Sequence, residues 1–383
     1  MKYKIEEYSN YLENTMSDIK KGKIVDYSIS TMNLFVRSGS LVEKFLDTLA
    51  KKGFKVYYDK VLTDRTFVMP DGHYVFKFLP RDKKKKLAKE DSDKISAKNR
   101  KRYADILINL EPRFFQIELG TSWWKKLQSI HLFQLFGASH IKIAPTILKD
   151  GSHHLAISTG ELSSESSQTN LTLTFQSTKA YDFAKKILDP EYRVGQKLFE
   201  ICNITNCLSL VVDYGNHGDP LAIPKIHKLA HDLILDKPKN VLLCSQYNPS
   251  GPILGALNNS ARSGAHVTIP LQPDDDYRRN SPAFKVLFAK FKKVVSNKVN
   301  LPVRPQPSHV KCLIVQHTNG SLSMMFGSDN FESWADTFYR NTEITMFINR
   351  AKKDTPEYEM VQKMLDVLVK TKEISKDERL LYI

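Results

Sequence analysis

The chain has 383 residues, room for two or three domain-sized units or one large pseudo-symmetric body. Its 41% hydrophobic and 26% charged residues are ordinary for a soluble globular protein. The 57 Lys plus Arg against 42 Asp plus Glu leave a formal charge of +15, which attracts DNA, RNA or anionic lipid head groups without choosing among them.

The elements follow in chain order. The start, MKYKIEEYSN, lacks the apolar stretch of a secretion signal. KIVDYSIST (23–31) reads as a strand. SLVEKFLDTLAKKG (40–53) reads as an amphipathic helix with Leu41, Phe45, Leu46 and Leu49 on one face, closed by Gly53. FKVYYDKV (54–61) is the next strand. RDKKKKLAKEDSDKISAKNRKR (81–102) is polar with no apolar period, so it is expected to be a solvated insertion or an arm that touches phosphates. YADILINL and FFQIELG are possible strands, on which Asp105 and Glu118 only faintly suggest a metal nuclease. Trp123 and Trp124, followed by Lys125 and Lys126, suit packing of a helix or stacking of bases.

Residues 191–238 join the two halves, and their segments PEYRVGQKLFEI and IPKIHKLAHDLIL look helical. The strand–helix–strand order then returns as NVLLCSQYN (240–248), ILGALNNSARSG (253–264) and AHVTIPL (265–271), which implies a parallel pair with a right-handed crossover. DDD at 274–276 reads as a charged loop, and PEYEMVQKMLDVLVKTKE (356–373) as an amphipathic surface helix. This order divides the chain into an N-terminal repeat over 1–190, a helical connection over 191–238 and a C-terminal repeat over 239–383. Cys202, Cys207, Cys244 and Cys312 show no zinc spacing and are expected to be buried reduced thiols. No stretch reaches ~18 uninterrupted apolar residues. A soluble protein of the cytoplasm or nucleus is expected.

Each strand–helix–strand unit is followed by a His-x-Lys. Gly264 precedes His309 by 45 positions and Gly53 precedes His140 by 87, so the first repeat carries the surplus that contains the Lys-rich run. Aligned on their histidines, the two blocks pair His140 with His309 and Lys142 with Lys311. At +19 they pair Thr159 with Ser328, and at +21 Glu161 with Asn330. Further on, QTNLTLTF resembles NTEITMFI, setting Asn170 against Glu343.

In a strand, residues i and i+2 point the same way, so each His-x-Lys sets an imidazole beside an ammonium. HLAIST and LSMMFGS are the returning strands, delivering a hydroxyl and a polar side chain at their ends. Two such units facing each other suit a phosphodiester. One neutral imidazole attacks phosphorus, one imidazolium protonates the leaving oxygen, and Lys142, Lys311, Asn330 and the hydroxyls hold the non-bridging oxygens. This chemistry calls for no metal and no cofactor. His153, His154, His131 and His317 read as bland, with the first two in a loop between motif strands.

The second block resembles the phospholipase D superfamily signature, a His-x-Lys followed by Asp and then Gly-Ser-x-Asn, through His309, Lys311, Gly327, Ser328 and Asn330. The first block, FGASHIKIAPTILKDGSHHLAISTGEL, resembles the tyrosyl-DNA phosphodiesterase branch. The signature Asp is absent: Ile147 and Gln316 stand in its places, and Glu161 stands where an Asn is expected.

The resemblance implies an α/β fold of two repeats, each a mostly parallel sheet flanked by helices, related by a pseudo-twofold within one monomeric chain. It implies His140 as nucleophile and His309 as acid, with Glu343 orienting the pocket. The expected activity is metal-independent phosphodiester hydrolysis on nucleic acid, DNA before RNA, through a phosphohistidine. A phosphatidyltransferase or phospholipase at an anionic lipid surface and a non-catalytic nucleic-acid binder are the alternatives.

Overall fold

The computed structural model describes residues 1–36, 38–61, 98, 101–110, 139–163, 168–192, 197–214, 224–247, 249, 251–273, 298–331 and 341–383. Most of the Lys-rich run, Glu118, Trp123, Trp124, His131 and the 274–276 acidic triplet lie outside the described residues.

In the first half, β1 (Tyr3–Glu7) leads into α1 (Tyr8–Lys20), β2 (Ile24–Phe35), α2 (Leu41–Ala50), β3 (Lys55–Val61) and β4 (Leu107–Asn109). Then come β5 (Ile143–Leu148), β6 (His153–Ser158), β7 (Leu162–Ser163), β8 (Leu171–Gln176) and α3 (Thr178–Leu188). The second half holds β9 (Phe199–Asn203), β10 (Leu208–Asp213), α4 (Lys225–Leu235), β11 (Pro238–Cys244), α5 (Gly251–Arg262), β12 (His266–Thr268) and β13 (Val299–Asn300). It ends with β14 (Cys312–His317), β15 (Leu322–Gly327), β16 (Glu343–Ala351), α6 (Pro356–Lys370) and α7 (Lys376–Leu380).

The α2 helix starts where Ser40 accepts the Glu43 amide hydrogen. Gly53 and Gly264 follow α2 and α5 with φ of 68° and 98°, a region only glycine enters without a Cβ penalty. Both predicted strand–helix–strand units are therefore present, β2–α2–β3 and β11–α5–β12, each with parallel strands.

Two eight-stranded sheets result, ordered β1-β8-β6-β5-β2-β3-β4 with β7 beside β2, and β13-β12-β11-β14-β15-β16-β10-β9. The α/β class and the two-repeat plan are as expected, but the sheets are mixed rather than mostly parallel. Parallel pairing is confined to the strand–helix–strand side. β5–β6–β8 and β14–β15–β16 pair antiparallel, because tight turns such as the one at Gly151, with φ 80°, return each motif strand as a hairpin.

The expected repeat boundary also moves. β10 followed by α4 occupies in the second sheet the place of β1 followed by α1 in the first: β1 pairs with β8, and β10 with β16. Strand pairing thus starts the second repeat near residue 208 rather than 239. The stretch expected to be a helical connection contains two strands, because FEICN pairs with β10 as an edge strand with alternating exposure.

Three apolar clusters layer the molecule. α1 and α2 cover one face of the first sheet, through Leu12, Ile19, Phe45, Leu46 and Leu49. α4 and α5 cover the second sheet through Ile226, Ile234, Ile253 and Leu257. The central cluster draws on both sheets together with α3 and α6. α6 was expected at the surface, yet Met360, Val361, Met364, Leu365 and Leu368 are fully buried there. Its apolar stripe meets both halves of the chain, a long-range contact that periodicity does not reveal.

Cys244 and Cys312 are buried and face each other across β11 and β14, whereas Cys202 and Cys207 are half-buried; all four are free thiols. Among the described residues no helix is long and apolar enough to cross a membrane.

Candidate active site

Both His-x-Lys pairs lie on the extended lead-in to a motif strand, His140 and Lys142 before β5, His309 and Lys311 before β14. All four side chains are withdrawn from solvent, with relative exposures of 5% and 1% in the first pair and 8% and 0% in the second. The backbone there crosses between the repeats. Ser139 bridges to Thr342 and Thr169 to Ser308, both in parallel sense. The His140 amide donates to Thr342 O at 2.9 Å, and the His309 amide to Thr169 O at 2.9 Å. These matched bonds are the pseudo-twofold at atomic scale, and they place Asn170 and Glu343, the next residues, in equivalent positions.

The two hydroxyls at +19 fasten backbone. Thr159 Oγ1 accepts the Leu171 amide at 3.0 Å, and Ser328 Oγ accepts the Ile344 amide at 2.9 Å. Ser328 Oγ also contacts the Glu343 carboxylate. Gly327 is required by close approach: a Cβ there would lie 2.1 Å from Ile344 O.

Each imidazole is held by the opposite repeat. His140 Nδ1 lies 2.8 Å from Glu343 Oε1. His309 Nδ1 lies 2.5 Å from the carbonyl of Thr159. A carbonyl only accepts, so Nδ1 of His309 carries the hydrogen and, in the neutral ring, Nε2 carries the lone pair. Lys311 Nζ lies 3.2 and 3.3 Å from the two ring nitrogens and donates to His309 O at 3.1 Å. Burial, then Lys311 and Lys142, push His309 well below the ordinary histidine value of 6.5, against the opposing effect of the Thr159 carbonyl.

Glu161 is built into the first repeat. Oε1 lies 3.0 Å from Lys142 Nζ and 3.8 Å from His140 Nε2. Oε2 accepts from Thr31 Oγ1 at 2.9 Å and the Asn33 amide at 3.0 Å. Burial raises its pKa, but Lys142, His140 and the Asn33 amide outweigh it, so the carboxyl sits below its usual range. At the equivalent place in the second repeat, Asn330 Oδ1 is buried and accepts no hydrogen bond among the described residues.

Sequence reading missed one pair. His227, in the first turn of α4, has Nε2 3.0 Å from Asp329 Oδ1. Asp329 Oδ1 also accepts the Phe331 amide at 2.7 Å, where the chain turns through φ 54°. Burial disfavours a charged His227, but Asp329, Asp213 and Glu343 outweigh it and raise its pKa. The only local clue was an Asp in the motif's x position.

Other expectations resolve plainly. His153 and His154 open β6 rather than a loop, because the turn is shorter than expected. His317 is buried between Asp236 O and Ser323 Oγ, at 2.8 Å each. Arg102, at the end of the basic run, pairs with Glu43 at 2.5 Å and Asp47 at 2.8 Å on α2. Asp105 precedes β4, and its carbonyl accepts from Lys55 Nζ at 2.9 Å.

No protein-family model and no curated protein matches the chain by sequence. Solved structures do. Phosphatidylserine synthase from Haemophilus influenzae Rd KW20 superposes with a TM-score of 0.64 at 11% identity, over 96% of this chain and 86% of that one. Yeast tyrosyl-DNA phosphodiesterase, in a form with one histidine replaced by alanine, gives 0.50 at 9%, over 92% and 91%. This is the two-repeat phospholipase D fold. Polyphosphate kinase from Porphyromonas gingivalis gives 0.54 at 12%, over 96% of this chain, which spans only 50% of the kinase. The phospholipase D resemblance carried by the two motifs and the likeness of the whole fold thus agree.

Proposed function

We propose that the protein cleaves phosphodiester bonds in nucleic acid through a phosphohistidine intermediate, without a metal. One observation carries this reading: two buried imidazoles, each oriented through Nδ1 by the other repeat, with a lysine two residues on from each. An oriented imidazole is what nucleophilic attack and proton donation need, and fixed buried cations oppose the charge that develops on the non-bridging oxygens. Asn330, through its side-chain Nδ2, and Lys311 are the donors assigned to those oxygens. The +15 charge supports a polyanionic substrate.

The test uses labelled single- and double-stranded oligonucleotides in EDTA, with wild type beside His140→Ala and His309→Ala. Cleavage is expected from wild type alone, each variant losing at least ~10²-fold in rate. Turnover of anionic phospholipid vesicles with none of oligonucleotides would replace the nucleic-acid reading with the phosphatidyltransferase or phospholipase one. Salt-sensitive oligonucleotide binding with no histidine-dependent turnover would leave a binder.

A further inference from the structure

The repeats differ at one matched position: the second carries the neutral Asn330 where the first carries Glu161. Glu161 is a fixed anion. Its Oε1 lies 3.0 Å from Lys142 Nζ, and its Oε2 is held from β2 by Thr31 Oγ1 at 2.9 Å and the Asn33 amide at 3.0 Å. Three donors, one of them an ammonium, favour the ionised form, and the carboxyl sits below its usual range despite its burial. Tied at both oxygens, it is not free to swing away when a ligand arrives.

The same carboxylate borders the place where phosphorus must come. Oε1 is 3.8 Å from His140 Nε2, the ring nitrogen that Glu343 does not hold. A phosphoryl group within hydrogen-bond reach of that nitrogen and of Lys142 shares a corner with Oε1, and its oxygens come to about 4–5 Å from it. Lys142 then answers to two anions at once.

We propose that Glu161 is a charge filter, which admits the singly charged diester and drives out the doubly charged monoester that hydrolysis leaves behind. The inference rests on the phosphodiesterase reading and deepens it, giving substrate selection and product release to one residue.

Hydrolysis adds water across a phosphorus–oxygen bond. The leaving oxygen keeps the bonding pair and gains a proton, and the hydroxyl of the water stays on phosphorus. Above about pH 6 the resulting monoester loses a further proton to solvent. The ligand therefore passes from one negative charge to two beside Glu161. Two like charges about 5 Å apart repel only a few-fold in water, but at a partly buried site the second charge is disfavoured roughly 10²-fold.

The experiment uses thymidine 5′-(p-nitrophenyl phosphate) as the diester and its product, thymidine 5′-phosphate, as inhibitor. It is run at about pH 8, where the monoester is doubly charged, with wild type beside Glu161→Gln and Glu161→Asp. Gln removes the charge and should tighten product inhibition at least ~10-fold more than it lowers KM for the diester. Asp keeps the charge and should keep the wild-type ratio of the two constants. A role in shape alone predicts the opposite sign, because a misfitted pocket loosens both ligands.

Equal changes in both constants, or weaker product binding by Glu161→Gln, would overturn the filter. So would a Glu161→Asp variant whose ratio moves as far as that of Glu161→Gln. Melting with thymidine 5′-phosphate reads the same affinity without turnover, since a ligand of the folded state raises Tm. The product should raise the Tm of Glu161→Gln more than that of wild type, even where the variant starts lower; an equal or smaller rise counts against the filter. Wild type that turns over the ester while the ratio stays fixed in Glu161→Gln sinks the filter alone. Wild type that turns over neither this ester nor oligonucleotides sinks the phosphodiesterase reading, and the filter with it.

Discussion

Replacing Gly327 with alanine tests how closely the second motif is fitted. The added Cβ would lie 2.1 Å from Ile344 O, 2.8 Å from Thr345 Cα and 3.0 Å from Ile344 C. All three are backbone atoms of β16, so no side chain can swing aside. Real Cβ atoms essentially never approach another atom below 3.0 Å, so β15 and β16 must separate by about 0.9 Å. Forced insertions of this kind cost about 1–3 kcal/mol, and a rigid backbone neighbour puts this one at the upper end. The displaced strands carry Ser328 and Glu343, and a misplacement of about 1 Å is worth roughly 10²-fold in rate. Urea unfolding should show a lower midpoint with an unchanged slope, and oligonucleotide cleavage should fall about 100-fold. A variant with wild-type midpoint and full activity would refute the close pairing of β15 with β16 at Gly327.

Three further outcomes are expected. Lys311→Met removes a buried ammonium without opening a cavity, so stability should hold or rise while kcat falls roughly 10²–10³-fold; parallel melting and rate measurements check this. His227→Gln breaks a charge-assisted bond to Asp329 and should cost about 1–2 kcal/mol. Because the folded His227 pKa is raised, that contribution is fully present below pH 6.5 and lost as pH climbs through the folded value, so wild type and variant should converge in alkaline unfolding titrations. His309 is depressed, so below pH 6.5 the unfolded ring takes up a proton that the native ring refuses. Native stability should then fall with pH at up to about 1.4 kcal/mol per unit. A His309→Gln variant that keeps the same slope would count against this.

The sequence shows most where the information is local. Leu41, Phe45, Leu46 and Leu49 marked α2, Gly53 and Gly264 marked the ends of helices, and equal spacing alone aligned Thr159 with Ser328. What it conceals is set by distant partners. Nothing near His227 points to Asp329, 102 residues on. Thr31 and Asn33, which hold Glu161, look like ordinary strand residues until β2 is laid beside the site. The apolar stripe of α6 looks like that of any surface helix, because a stripe does not say how many sheets it meets.

The crossing of anchors between repeats has a consequence for synthesis. His140 is oriented by a residue 203 positions away and His309 by one 150 positions away. Contacts of such separation form late, because loop closure precedes them. The first histidine is therefore made long before Glu343, and a growing or truncated chain carries a His-x-Lys with nothing to aim it. On the function proposed above, a centre arranged this way would stay silent until both halves have docked, and activity would come all at once with the native fold.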